Sequence, residues 1–138
     1  MLRKLETYLE NKILILPSWL SAHLKRTAEI AVELAIVHKA DPTRCKLSAL
    51  AHDIAKTYHN NDLIKIAKTN KLDCSEFEFS HPEVLHGPVA AFHLNEYLAE
   101  DISLFNSIRR HTSGNTNFDV ENKIVFLSDK LDPNKINK

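Results

Sequence analysis

The segment Asp41-Pro42-Thr43-Arg44-Cys45-Lys46-Leu47-Ser48-Ala49-Leu50-Ala51-His52-Asp53 decides how the rest of the chain is read. Asp41 before Pro42 predicts a capped helix start, with proline at the first helical position, where its missing N–H costs nothing. The helix then runs through Leu47, Leu50 and Ala51 and delivers an adjacent His52 and Asp53 at its C-terminal end. Apolar helical spacing recurs on both sides of it. Leu2, Leu5, Leu9 and Ile13 form a first stripe that ends before Pro17. Ser18 is placed to cap a second, long helix whose face carries Leu20, His23, Leu24, Thr27, Ile30, Ala31, Leu34 and Ala35, so His23 points inward.

Further along, a short helix is predicted from Asp62 to about Lys68, and Asp73 to Pro82 stays unassigned. Pro88 falls in the first turn of a helix containing Ala90, Ala91, Leu94 and Leu98, with His86 just ahead of it. Asp101 opens a helix through Ile102, Phe105 and Ile108 that ends around Arg110 to Gly114, the glycine suited to a left-handed cap. Asp119 caps a last helix through Ile124, Val125, Leu127, Ser128 and Asp129, which stops before Pro133. The chain has only two glycines, both in its second half, so tight hairpins are scarce and an all-α fold is expected. Its 138 residues, 43% of them hydrophobic, suffice for one domain over residues 1–138 that buries roughly two thirds of its unfolded surface.

Eighteen basic residues balance eighteen acidic ones, which leaves no overall field to draw the chain onto nucleic acid or a membrane. Ile13-Leu14-Ile15-Leu16 is too short for a signal-peptide core or a span, and a cytoplasmic location is expected. Cys45 and Cys74 form no Cys-x-x-Cys pair, so neither a disulfide framework nor a thiolate zinc site is expected. Eight histidines in so short a chain are harder to assign to surface chance. A lone histidine on an apolar face is usually a hydrogen-bonded core residue. Here His23 faces inward, while His52, His86 and His111 sit at helix ends where a bundle opens, and Asp53 and Asp129 add carboxylates. Imidazole and carboxylate without thiolate suit iron, manganese or zinc. Six such groups exceed one tetrahedral ion's need, so two adjacent ions bridged by Asp53 are the economical reading. His38, His59 and His93 fit no such pattern, and His81 lies near enough in sequence to His86 to line the entrance.

The order His23, His52-Asp53, Asp129 resembles the signature of the HD superfamily of metal-dependent phosphohydrolases. Four stretches look like the motif set of the bacterial symmetrical diadenosine tetraphosphatases: Ala51-His52-Asp53-Ile54-Ala55-Lys56, Leu85-His86-Gly87-Pro88-Val89-Ala90-Ala91, Ile108-Arg109-Arg110-His111-Thr112-Ser113-Gly114 and Ser128-Asp129-Lys130-Leu131-Asp132-Pro133-Asn134-Lys135. The resemblance runs from about Trp19 to Asn134. It implies a compact helical bundle around a di-iron centre with His23, His52, Asp53, His86, His111 and Asp129 as ligands, manganese or zinc being the other candidate metals. It also implies symmetrical cleavage of diadenosine tetraphosphate into two ADP, by a hydroxide bridging the two metals. Asp53 then acts as the bridging catalytic group. Lys56 is the first choice, and Arg109 the second, to meet charge developing on the phosphoryl oxygens. Thr112, Ser113 and Gly114 are expected to bind phosphate through a loop, with Arg110, Lys130 and Asn134 as further substrate contacts.

Two departures from the family pattern stand out. Its members usually carry helices beyond the Asp-Pro-Asn motif, whereas this chain stops at Lys138, which would leave apolar surface either covered by a partner subunit, with a homodimer as the candidate, or exposed as a liability. The motif's last position is often arginine, and here it is Lys135, a point charge without a planar fork. Other readings are an HD hydrolase of another nucleotide, either a nucleotidase or a signalling-nucleotide phosphodiesterase, and a shortened non-catalytic module that binds metal or nucleotide.

Overall fold

A computed structural model describes residues 2–98 and 100–136, which contain ten α-helical segments and no strand. The opening stripe folds as α1, Leu2–Ile15, burying Leu5, Leu9 and Ile13. The next helix, α2, covers Ser18–Val37, but Ser18 does not cap it. Pro17 takes the cap position and its carbonyl accepts the N–H groups of Leu20 and Ser21, both at 3.0 Å, so the helix begins one residue earlier than a serine cap requires. In α3, Pro42–Ala51, the expectation holds in detail: the Asp41 carboxylate accepts from the N–H groups of Thr43 and Arg44 at 2.9 and 3.2 Å. Thereafter α4 spans Asn60–Thr69.

The unassigned stretch becomes α5, Glu76–Ser80, started by a reciprocal cap in which Ser75 and Glu78 each bond the other's backbone N–H. A 3₁₀ turn, Pro82–Leu85, leads into α6, His86–His93, so His86 is the first residue of that helix rather than one ahead of it. The helix expected to continue through Leu98 breaks at Leu94, and α7 covers Asn95–Leu98. The bend turns α7 against α1, where the Tyr97 and Tyr8 rings lie 4.9 Å apart. Asp101 caps α8, Ile102–Arg109, and Asp119 caps α9, Val120–Lys130; α10 is Pro133–Ile136. Gly114, at φ +75°, donates its N–H to the Arg110 carbonyl at 2.8 Å, closing a turn beyond α8 that carries His111.

α2 packs on α3 and α9, and α6 lies on α8. Leu20, Leu24, Leu47, Leu85, Leu104 and Ile108 fill the space between these helices. Gly87 allows the α6–α8 approach: a Cβ there would stand 2.8 Å from the Arg109 carbonyl oxygen and 3.3 Å from that of Ile108. Arg44 ties α3 to the start of α8 through Asp101 and to α9 through Glu121. Three of the elements that carry the polar cluster are therefore fixed to one another. Among the described residues no helix is long and apolar enough to cross a membrane.

Candidate metal centre

Six residues from five separated points of the chain meet between these helices: His23 on α2, His52 and Asp53 at the end of α3, His86 at the start of α6, His111 in the turn after α8 and Asp129 on α9. They fall into two groups that share Asp53. In the first, His23 Nε2 lies 3.2 Å from Asp53 Oδ2 and 3.0 Å from Asp129 Oδ1, and His52 Nε2 lies 3.1 and 3.3 Å from the same two oxygens. In the second, the Nε2 atoms of His86 and His111 lie 2.9 and 3.0 Å from the other oxygen, Asp53 Oδ1, and 2.9 Å from each other. The carboxylate of Asp53 thus presents one oxygen to each group.

The opposite edge of each ring explains the orientation. His52 Nδ1 donates to the Ala49 carbonyl, His86 Nδ1 to that of Glu83 at 2.6 Å, and His111 Nδ1 to that of Ile108 at 2.7 Å. A carbonyl can only accept, so each Nδ1 carries its proton, and a ring that is neutral turns a lone pair inward from Nε2. In the second group, with both rings neutral, two such nitrogens and a carboxylate oxygen face one another with no hydrogen between them. Acceptors that converge in this way fit a cation. Ligand atoms about 2.1 Å from one ion and at right angles stand about 3.0 Å apart, which matches the spacings here. The donor set, all imidazole nitrogen and carboxylate oxygen, suits a divalent transition metal, and the Nδ1–H···O contacts are the usual outer support of ligating histidines.

Without a metal, protons provide the balancing charge. Burial alone would lower the His23 and His52 pKa values, but hydrogen bonds to Asp129, Asp53 and Asp132 carry His23 up to about 9. The charge of Asp53, with hydrogen bonds to Asp129 and Asp53, carries His52 up to about 10. Burial pushes His111 down to about 4, against the pull of Asp53. Burial would raise Asp53 and Asp129, yet the surrounding imidazoles hold both well below the carboxylate range.

Two cavities open beside the cluster, of about 220 and 290 Å³, and both are walled by Asp53, Lys56 and Lys135. Asn134 lines the smaller cavity, and Thr112 and Lys130 the larger. Thr112 Oγ1 donates to the Val84 carbonyl at 3.2 Å, and Lys130 Nζ lies 4.3 Å above the Phe126 ring. Arg109 departs from expectation. Its guanidinium is buried, paired with both Glu78 oxygens at 2.8 and 3.0 Å and with the Asp73 carbonyl at 2.9 Å, so its donors are committed to holding α5 against α8. Arg110 lines a different cavity, beside Asp73 and Phe105. Ser113 and Gly114 are on the wall of neither cavity, and Gly114 serves the turn. His81 also lines neither; it stacks on Phe77 at 4.2 Å.

Sequence reasoning gave no role to Asp132, Arg26 or Trp19. The buried Asp132 receives His23 Nδ1 at 2.6 Å and is gripped by Arg26 at 2.6 and 3.0 Å, and burial is outweighed by these partners, which lower its pKa to about 2. Asp132 before Pro133 reads as a helix cap, and it does accept the Asn134 N–H at 3.2 Å. The available signal was Arg26, three residues after His23 on the same helical face. Trp19 lines the smaller cavity. Lys135 Nζ bonds both Asp129 oxygens at 3.0 Å.

Comparison with known proteins places this geometry in a family. The chain is 33% identical over 114 residues to the Halalkalibacterium halodurans protein named symmetrical bis(5'-nucleosyl)-tetraphosphatase, an alignment covering 82% of this chain and 60% of that one. It is 29% identical over 114 residues to the Staphylococcus aureus protein of the same name, covering 82% and 58%. The chain therefore spans about three fifths of the length of these relatives. A solved structure from Clostridium acetobutylicum, described as a predicted HD superfamily hydrolase involved in NAD metabolism, superimposes with a TM-score of 0.80 at 23% identity, over 95% of this chain and 68% of that one. It shares the fold. The HD domain model matches residues 20–134, and the chain belongs to the HD domain family.

Proposed function

We propose that the protein is a metal-dependent phosphohydrolase that cleaves diadenosine tetraphosphate symmetrically into two ADP. The observation that carries this reading is the shared carboxylate: Asp53 offers Oδ2 to His23 and His52 and Oδ1 to His86 and His111, which suits two ions side by side. His23, His52, Asp53 and Asp129 would hold one ion, and Asp53, His86 and His111 the other, with iron as the proposed metal. When bound, such ions polarise a phosphoryl oxygen and lower the pKa of water. Two relatives named as symmetrical tetraphosphatases support the choice of substrate.

The chain's own residues supply position and charge. Lys56 and Lys135, on the wall common to both cavities, can neutralise phosphoryl oxygens as negative charge builds on them. Asp132 and Arg26 hold the His23 ring in its tautomer and direction. Thr112 and Lys130, on the wall of the larger cavity, would contact the polyphosphate. In the overall reaction, water adds to one of the two inner phosphorus atoms and the central bridging oxygen leaves with the other ADP.

Product analysis tests this. Iron- or manganese-loaded protein given diadenosine tetraphosphate should release ADP alone, and Asp53→Ala should release none. ATP plus AMP would sink symmetrical cleavage. Rapid hydrolysis of a mononucleotide with the dinucleotide left intact would sink the substrate assignment.

A further inference from the structure

We propose that Trp19 is the platform on which a purine base of the nucleotide substrate stacks, which makes it a specificity-determining residue of the site. The inference rests on the nucleotide-hydrolase reading above and adds what recognises the base. Trp19 is 59% exposed, and among the described residues it is the only one of the exposed large apolar side chains on the wall of either cavity beside Asp53. Leaving an indole in water forfeits the hydrophobic gain that an aromatic of this size brings when covered. Its place in the first turn of α2, four residues before His23, puts it on the same helical face as that imidazole.

The smaller cavity has the chemistry of a nucleotide end. Lys56 supplies positive charge beside Asp53 and His23, with Arg26 and Lys135 on the same wall paired to Asp132 and Asp129, while Trp19 supplies an aromatic face. Asn134, on the same wall, carries a carboxamide with both a donor and an acceptor for a base edge. A diphosphate lying along Lys56 and Lys135 would carry its nucleoside outward, over the indole. Stacking of a base on an aromatic side chain is worth about tenfold in affinity or more, and it favours purines through their larger ring face.

Trp19 is the single tryptophan of the chain, so intrinsic fluorescence reports on this position alone. The expected result is that ADP quenches the emission of the metal-loaded protein, excited beyond the adenine absorption band, whereas inorganic pyrophosphate leaves it unchanged. Trp19→Ala should weaken ADP binding, read by calorimetry, about tenfold or more, and Trp19→Phe should keep it within about threefold. With diadenosine tetraphosphate, the loss in Trp19→Ala should fall on KM more than on kcat. ADP quenching without any turnover would uphold the platform while defeating the hydrolase reading. Unchanged emission with ADP, or Trp19→Ala binding ADP like the parent, would overturn the platform even if hydrolysis to ADP proceeds.

Discussion

The two halves of the cluster are built from the same residue types and held in different ways. In the half containing His23 and His52, two carboxylates face two imidazoles, and the His23 ring is steered by a charged side chain, Asp132, itself gripped by Arg26. In the half containing His86 and His111, one shared carboxylate faces two imidazoles, and both rings are steered by backbone carbonyls alone. His23 keeps 12% of its side-chain surface exposed against 2% for His111. The first half attracts cations mainly through charge, and protons compete for it. The second relies on geometry fixed by the helix ends, and His111 stays neutral there.

That contrast can be broken most completely at its joint. Asp53→Ala should remove both ions, taking metal content from two per chain to near none by elemental analysis, and should lower kcat/KM about a thousandfold or more. His111→Ala should leave the first half intact: one ion retained, and a loss in kcat of about a hundredfold. Loss of both ions in that variant would mean that the halves are one site.

Acidity should separate the halves next. In protein stripped of metal, His23 and His52 bind protons up to about 9 and about 10, so near neutrality an entering ion must displace them. Metal affinity of the first half should therefore rise with pH, up to about a hundredfold per unit if both protons leave together, with proton release seen by calorimetry in buffers of different ionisation heat. His111, neutral above about 4, should add nothing to that slope. Because both raised values exceed the ordinary 6.5, their contribution to the stability of the stripped protein is full below about 6.5 and is lost as pH rises through 9 to 10. The smallest effect should come from Asp132→Asn, which keeps an acceptor for His23 and loses the charge. Metal affinity should drop about tenfold, in the first half only.

The six clustered residues were legible in the sequence because each sits on an apolar stripe or at a helix boundary that periodicity and capping reveal. Arg109 shows what periodicity omits. His111, two residues further on, turns into the cluster, but Arg109 points to Glu78, which lies in the stretch that spacing left unassigned. An ion-pair partner supplied by a segment without a pattern cannot be inferred from the arginine itself. Ser18 is a smaller case: a backbone carbonyl from Pro17 started the helix before the serine hydroxyl was needed. Asp132 was hidden by serving two purposes, since its capping role accounts for its place in sequence and conceals its bond to His23.

Gly87 bears on how such a centre tolerates change. His86 rides on one of the two backbones that touch at this glycine, and His111 follows two residues after Arg109 on the other, so the gap between their nitrogens is set by main chains in contact. A single methyl group there would wedge the two helices apart and widen the seat of the second ion without altering any charged or hydrogen-bonding group. A survey of variants confined to ionisable side chains would pass over the residue that works as the spacer.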